Sequence, residues 1–270
     1  MDVPIISVIT TVKNGELYLA QMLHSVNNQS YKKFEHIIVD DGSTDRTLPV
    51  LTEFAETFPN YPLRVYSPGS IGRGKCLNFA ISRAKAAWIA IIDADDLWHP
   101  DKLQIQMATV DSPMMNEKTA VLATESLSFF GDPTYEEDVI PEAILVGDTK
   151  IGDFLIRNPI CHSSVLIRKH IAKYSEDRVS QFDLELWLRL ISSGYQIKIL
   201  ASCLTFHRKH ERQSFEAMLG SKMVINSYRL KAKYSLKYGC FGSLFKSTIE
   251  IVYSLYIPRR LKILINKIFK

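Results

Sequence analysis

The sequence has little cysteine, and what it has is scattered. Cys76, Cys161, Cys203 and Cys240 are the only four in 270 residues. None stands at metal-type spacing, which excludes a cysteine-built metal domain and fits reduced thiols in a cytosolic compartment. Uncharged apolar runs of the ~20 residues that a membrane-spanning helix needs are also lacking. A signal peptide is not expected: Asp2 and Pro4 interrupt the N-terminus, and no basic segment or cleavage site follows. Internal repeats and low-complexity tracts are missing, so a repeat architecture is excluded. Net charge is small, +4, but unevenly spread. From Ser221 to Lys270 eleven basic residues face one acid, Glu250, leaving the first 220 residues acidic. A basic tail on an acidic body suggests that the tail meets an anionic surface.

What is present centres on Trp88–Asp101, WIAIIDADDLWHPD. Trp88–Ile92 is short, apolar and rich in large and β-branched residues, the pattern of a strand buried on both faces. Asp93, Asp95 and Asp96 follow directly. Carboxylates so close repel one another unless a cation or several donors compensate them. Hard oxygen ligands of this kind suit Mg²⁺ or Mn²⁺. The plainer alternative is a turn and helix N-cap, which Asp95, Asp96 and Pro100 would fit ahead of a helix through Val110.

The first hundred residues alternate. Strands are expected at Ile5–Thr10, Phe34–Val39, Leu63–Ser67 and Trp88–Ile92. Helices are expected over Leu17–Val26, from about Asp45 to Phe58, and over Lys75–Ala86. Pro49 fits the second helix only in its first turn. Such alternation implies right-handed crossovers and a mostly parallel sheet. Asp40-Asp41 and Asp93-Asp95-Asp96 then lie on one rim, at the carboxyl ends of the strands, where ligands bind in open α/β sheets. Beyond Val110 the pattern weakens. It suggests strands at Ala120–Thr124, Ser126–Phe130, Ser163–Ile167, Ile197–Leu200 and Leu204–Phe206, a loop over Gly131–Gly147, and helices at Ile151–Ile156 and Phe182–Ser192.

SVITTVKNGELYL, EHIIVDDGSTDRT, WIAIIDADDLWHPDKL and FDLELWLRL, in that order, resemble the motifs of the family 2 glycosyltransferases of the GT-A fold. The resemblance covers Ile5–Ser214. It implies an α/β, Rossmann-like domain over residues 1–215, with a mostly parallel central sheet and flanking helices. Residues 216–270 then form a basic helical extension. The family implies a nucleotide-sugar donor, usually UDP-linked, a divalent Mn²⁺ or Mg²⁺ on the DxD-type acids, and transfer with inversion at the anomeric carbon. The acceptor is a hydroxyl of a glycan or lipid-linked saccharide, as in polysaccharide biosynthesis.

The resemblance also assigns roles to residues. Thr11 falls where the family contacts the nucleobase. Asp41 matches the residue that reads the uracil edge, a carboxylate accepting from a base N–H. Asp40 is either its partner or a turn acid. Asp93 and Asp95 form the DxD, with Asp95 near the ribose or metal. Asp95 or Asp96 holds the metal. Asp183 matches the catalytic aspartate that takes the acceptor proton. The acid that usually precedes it is Phe182 here, which leaves Glu185 as the rival base. Asp183 and Glu185 do not share a helical face. Phe206–Ser214, FHRKHERQS, resembles the family's R-x-H segment, in which Arg208 and His210 approach the diphosphate or complete the metal shell. Gly72-Arg73-Gly74-Lys75 resembles its glycine loop, whose N–H groups and Arg73 meet the donor. Cys76 follows that lysine, so this is no P-loop. Asn78 reads as structural.

In the tail, Phe241, Leu244, Phe245, Ile249, Val252 and Leu255 fall at helical spacing, and a second apolar and basic segment follows Pro258. Basic amphipathic helices of this kind lie on anionic membranes. Peripheral contact at the cytoplasmic face of a membrane is therefore expected; packing on the body or in an oligomer is the alternative. Other functions fit less well. A processive synthase needs spanning helices and a Q-x-x-R-W motif. A sugar-nucleotide pyrophosphorylase needs a G-G-x-G-x-R loop where TTVKNGE stands. A non-catalytic nucleotide-sugar-binding protein would not need both DADD and Asp183. No aromatic-basic motif points to nucleic acid.

Overall fold

The structure, a computed structural model, describes residues 4–131, 145–178, 180–210 and 221–256. Its first half alternates as expected: β1 (Ile6–Val12), α1 (Leu19–Asn27), β2 (Phe34–Asp40), α2 (Thr47–Thr57), β3 (Leu63–Tyr66), α3 (Arg73–Arg83) and β4 (Trp88–Ile91). These strands lie in the order β3-β2-β1-β4, all parallel. β1 is hydrogen-bonded on both sides, and Ile6, Val8 and Ile9 are wholly buried. That double burial is why its sequence runs apolar rather than alternating. Val12 pairs with Asp40 and Ile9 with Ile91, so the aspartate motifs after β2 and β4 share one rim. On α1, Leu19, Met22, Leu23 and Val26 form the apolar face that packs into the core. Pro49 is the third residue of α2, inside the first turn, where its missing N–H has no partner to lose.

Beyond β4 come β5 (Leu97–Trp98), α4 (Lys102–Val110), β6 (Thr119–Phe130), β7 (Leu145–Asp148), α5 (Ile151–Ile156), β8 (Leu166–Arg168), α6 (Phe182–Ser192) and β9 (Gln196–Lys209). β8 joins β4 antiparallel, β6 joins β8, and β9 runs parallel to β6. β5 and β7 both pair antiparallel with β9. The sheet is thus parallel through β4 and mixed beyond it.

Three expectations need correction here. The two strands expected over Ala120–Phe130 are one strand, as are the two expected over Ile197–Phe206. Register shifts at Thr124, Glu125 and Ser126 in the β6–β9 ladder break the side-chain pattern without ending either strand. Ser163 does not enter a strand: His162–Ser164 is a short 3-10 turn. The Ser164 hydroxyl donates to the Cys161 carbonyl at 2.8 Å, a local bond that competes with the ladder. Of the loop expected over Gly131–Gly147, Leu145 begins β7 and residues 132–144 lie outside the described residues.

The described residues divide into two compact units, Met1–Thr149 with Pro159–His210, and Lys150–Asn158 with Glu211–Lys270. The second holds α5, α7 (Ser221–Lys237) and α8 (Phe241–Tyr256). α7 ends where Gly239 turns left-handed (φ 66°) and the Cys240 N–H reaches the Ser235 carbonyl at 2.8 Å. The boundary expected at residues 215 and 216, and the segment expected after Pro258, lie outside the described residues. No described helix is long and apolar enough to cross a membrane.

Under β2, His36 is wholly buried, with Nε2 3.0 Å from Thr10 Oγ1 and Nδ1 2.6 Å from Tyr61 Oη. Burial pushes its pKa down to about 3. Below ~6.5 the unfolded chain takes up a proton that the folded chain refuses, so stability is full above that pH and falls as pH drops toward 3. Between about pH 7 and about pH 5 the expected loss is about 2 kcal/mol. Urea denaturation of wild type against His36→Asn measures it; equal pH slopes in the two proteins would rule this origin out.

Candidate active site

At the end of β2 the two aspartates do different work. Asp40 is buried, and its carboxylate accepts the Ser43 N–H at 3.2 Å, the short-range turn bond that the sequence allowed. Asp41 is also buried. Its backbone N–H donates to the Val12 carbonyl at 2.8 Å, and its Oδ1 accepts from the N–H groups of Ile71 and Gly72 at 2.7 and 2.8 Å. Asp41 therefore ties the glycine loop to the strand ends. Gly42 has φ 75°, and a Cβ there would meet the Ser70 backbone nitrogen at 3.0 Å, so loop and turn approach closely only because it is glycine. Burial pushes the nearby Cys76 thiol up to about 12, with the Asp41 charge adding to it. Thr11, half-buried, sits beside Val39 at the end of β1.

The DADD acids face three ways. The Asp93 carboxylate accepts from Arg73 Nη2 at 2.5 Å, and its backbone N–H donates to Ser163 Oγ at 3.0 Å. Burial works to raise its pKa, but the Arg73 guanidinium outweighs that and holds it well below the usual carboxylate range. Asp95 Oδ2 lies 2.9 Å from His210 Nε2. Asp96 turns inward and is only 1% exposed. It accepts the Ser163 hydroxyl at one oxygen and the Arg208 backbone N–H, 3.0 Å away, at the other. Burial, reinforced by the Asp95 and Asp93 charges, pushes its carboxyl well above the usual range. Neither Asp95 nor Asp96 caps a helix. The residue before α4 is Asp101, which makes no side-chain cap bond.

Arg208 braces this loop from β9. It is 1% exposed, and Nε donates to the Asp95 carbonyl at 2.9 Å. Nη1 donates to the Gly131 carbonyl and Nη2 to Gln21 Oε1, both at 2.5 Å. Its guanidinium lies 4.4 Å from the Tyr18 ring centre and 4.6 Å from that of Phe129. The expectation that Arg208 approaches a diphosphate is therefore corrected: the side chain is spent on the scaffold. His210, two residues on, lies against the same Tyr18 with ring centres 4.8 Å apart, and its buried Nδ1 has no hydrogen-bond partner among the described residues.

Opposite Asp93 stand residues that the motifs did not single out. His162 Nδ1 is 3.2 Å from Arg73 Nη2 and 3.5 Å from Asp93 Oδ1, and its Nε2 is 2.9 Å from Tyr174 Oη. Asn78 clamps the Tyr174 backbone, accepting its N–H and donating to its carbonyl, each at 2.9 Å. Burial raises the Tyr174 phenol, and the Asp183 charge adds to it. For Arg73, burial opposes the charge, but Asp93, Asp183 and Asp95 outweigh it and raise its pKa further. Arg73, Tyr174 and Cys161 all feel Asp183, which stands in the first turn of α6. Glu185 instead accepts from Arg189 Nε at 3.1 Å, one turn along its own helix.

The structure thus joins Arg73 with Asp93, Asp95 with His210, and Asp41 with the loop that leads into Arg73. The Asp183 charge acts on Arg73, and Thr11 lies near the end of β1. The polar run His162-Ser163-Ser164 just before an apolar strand was the available signal for the missed residues. No cluster of three or more histidine, cysteine, aspartate or glutamate side chains arranged for a metal ion occurs among the described residues. Asp95 and His210 form a two-member oxygen and nitrogen donor set.

Acids along one rim with a glycine loop between them place the candidate site at the carboxyl ends of the strands of an α/β sheet, where ligands bind. Residues 7–143, more than half of the chain, match the family model described as Glycosyl transferase family 2. The chain belongs to that family and is a glycosyltransferase. It is 29% identical over 210 residues to TuaG of Bacillus subtilis, named as a teichuronic acid biosynthesis glycosyltransferase, covering 76% of this chain and 79% of that one. It is 25% identical over 240 residues to WfaP of Escherichia coli, a UDP-Glc:alpha-D-GlcNAc-diphosphoundecaprenol beta-1,3-glucosyltransferase, covering 86% and 90%. Among solved structures it resembles S. aureus TarS 1-349 in complex with UDP-GlcNAc (TM-score 0.65, 21% identity, 93% of this chain and 73% of that one). It also resembles the mannosyltransferase PcManGT from Pyrobaculum calidifontis in complex with GDP-Man and Mn²⁺ (TM-score 0.65, 15% identity, 99% and 80%). The fold is GT-A.

Arg208→Lys keeps the charge but not the planar fork. It should destabilise the protein by about 2–3 kcal/mol in urea denaturation, because several buried acceptors lose donors at once. An unchanged unfolding midpoint would show the fork to be dispensable.

Proposed function

We propose that the protein is an inverting transferase that moves a sugar from a nucleoside diphosphate donor, a UDP-sugar, to a hydroxyl of a saccharide or lipid-linked acceptor. The observation that carries this is the placement of Asp183. Its charge acts on the Arg73–Asp93 pair and on Tyr174, while Glu185 is engaged by Arg189. We assign Asp183 as the acid that takes the acceptor proton, and its charge beside Arg73 supports that reading. The acceptor oxygen attacks the anomeric carbon, the bond to the diphosphate breaks, and configuration inverts. Arg73 carries positive charge toward the side where the leaving group gains negative charge. Thr11 and Asp41 sit at the strand ends where the base and ribose are read, and Asp93 holds Arg73 in place.

Asp95 and His210 fit a divalent cation as two protein ligands, with donor phosphate oxygens and water completing the shell, as is usual for Mg²⁺ and Mn²⁺. Asp96 fits poorly, because both its oxygens accept protein hydrogen bonds. When bound, the metal supplies Lewis-acid stabilisation of the departing diphosphate. The Mn²⁺ named with PcManGT and the undecaprenyl diphosphate named in the WfaP reaction are compatible with this donor and acceptor chemistry. The domain assignment is 1–215 for transfer and 216–270 for anchoring, at the cytoplasmic face of a membrane. On α8, Phe241, Phe245, Ile249 and Val252 form one stripe, 68%, 70%, 53% and 47% exposed. An exposed apolar stripe on a basic segment suits an anionic bilayer.

Two measurements test this reading. Release of nucleoside diphosphate from a panel of UDP-, GDP- and dTDP-sugars with Mn²⁺ should occur with one donor, vanish in Asp95→Ala, and fall by ~10²-fold or more in transfer by Asp183→Asn. Full transfer by Asp183→Asn would remove it as base. Separately, Phe245→Ser with Ile249→Ser should weaken cosedimentation with anionic vesicles at least tenfold and leave soluble donor hydrolysis unchanged. Equal vesicle binding by variant and wild type would exclude this face.

A further inference from the structure

His162 lies outside the motifs of the family, yet it touches the cation that the proposed reaction depends on. It stands in the turn before β8, 9% exposed, between Arg73 and Tyr174. Both ring nitrogens are within reach of partners, and the partners decide which one carries the proton. A guanidinium can only donate. Arg73 Nη2 lies at hydrogen-bond length from His162 Nδ1, 3.2 Å, whereas Asp93 Oδ1 is at 3.5 Å, beyond that length. Nδ1 is therefore the acceptor. The proton sits on Nε2 and is donated to Tyr174 Oη at 2.9 Å. Tyr174 is held in turn by Asn78, which belongs to α3, the helix that Arg73 begins. The ring edge of Tyr174 also packs against the imidazole, with centroids 5.6 Å apart.

The result is a closed frame: Arg73 starts α3, Asn78 of α3 fixes Tyr174, Tyr174 fixes the His162 tautomer, and His162 receives the Arg73 guanidinium. Asp93 engages the same Nη2, so one guanidinium corner has two acceptors. Arg73 Nε is buried and has no hydrogen-bond partner among the described residues, so these contacts leave a donor of Arg73 over. Without His162 the guanidinium would be set by Asp93 alone and would be able to rotate about that single contact.

We infer that His162, as the neutral Nε2–H tautomer, is a positioning residue that fixes the Arg73 guanidinium for the donor diphosphate. This rests on the proposed donor reading, but the tautomer half stands apart from it. Asparagine places its side-chain oxygen near the position of Nδ1, so His162→Asn keeps an acceptor for Arg73, whereas His162→Leu removes it. Donor KM should rise roughly tenfold in His162→Leu, the cost of one hydrogen bond to a charged group. In His162→Asn it should return to within about threefold of wild type, with thermal unfolding compared across all three. A merely structural role would lower stability in both variants without this split.

The tautomer is read independently on the ¹⁵N-labelled full chain by long-range ¹H–¹⁵N correlation, with His162→Asn identifying the resonance. An unprotonated Nδ1 and protonated Nε2 are expected. A protonated Nδ1 overturns the proposal whatever the kinetics, and so does an unchanged donor KM in His162→Leu. If wild type turns over no nucleotide sugar, Kd for UDP replaces KM. If UDP does not bind either, the donor reading fails and with it the role for the diphosphate, while the spectrum still decides the tautomer.

Discussion

Three carboxylates within four residues must be held at the end of one buried strand against their own repulsion, and the site is built around that constraint. Two arginines meet it from different elements. Arg73, at the start of α3, neutralises Asp93 directly. Arg208, near the end of β9, takes the Asp95 carbonyl with its side chain and the Asp96 carboxylate with its backbone N–H. Burial and the Asp95 and Asp93 charges push the Asp96 carboxyl upward, which lessens its share of the repulsion. What remains is Asp93, already paired, and Asp95, whose carboxylate lies beside His210.

This division explains why β9 has to be long. It pairs with β6 over most of its length, takes β5 along its other edge, and still reaches the DADD loop with Arg208 and His210. The register shifts in the β6–β9 ladder twist the strand where it leaves the core. Beyond them β6 is largely exposed, while Arg208 of β9 is buried under Tyr18 and Phe129. A strand that ended at Phe206 would leave Asp96 without its backbone donor and Asp95 without its histidine.

Much of the fold was legible in the sequence because β1 to β4 obey one rule: short apolar runs, each followed by a turn and an amphipathic segment. The acid clusters were legible for the same reason, since parallel strands put their ends on one rim. What was not legible depended on contacts distant in sequence. Asp96 reads like Asp95 until Ser163 and Arg208 close on it from positions 67 and 112 residues away. Arg208 reads as a ligand-binding arginine until Gln21, 187 residues away, takes its guanidinium. β6 and β9 each read as two pieces because a bulge hides periodicity, although it does not end a strand. His162 carries no motif at all. Its role appears only when α3 and the turn before β8 are brought together.

Phe182 stands where the family resemblance calls for an acid, and the packing gives that departure a reason. A Cβ on Gly74 would lie 3.0 Å from the Phe182 ring and 2.5 Å from the Ser175 carbonyl, so α3 can approach the 175–182 segment only through a glycine and against an apolar edge. A second carboxylate at 182 would be buried next to Asp183, and like charges that close raise one another's pKa. Phenylalanine avoids that conflict. Gln181 before it adopts a left-handed conformation, φ 54°, which costs about 1–2 kcal/mol for a non-glycine residue and turns the chain sharply into α6. Together the aromatic contact and the strained turn fix where α6 begins. Glu185 pairs with Arg189 one turn along the helix, whereas the Asp183 charge is felt at Arg73, so the start of α6 sets the charge that reaches the Arg73 group.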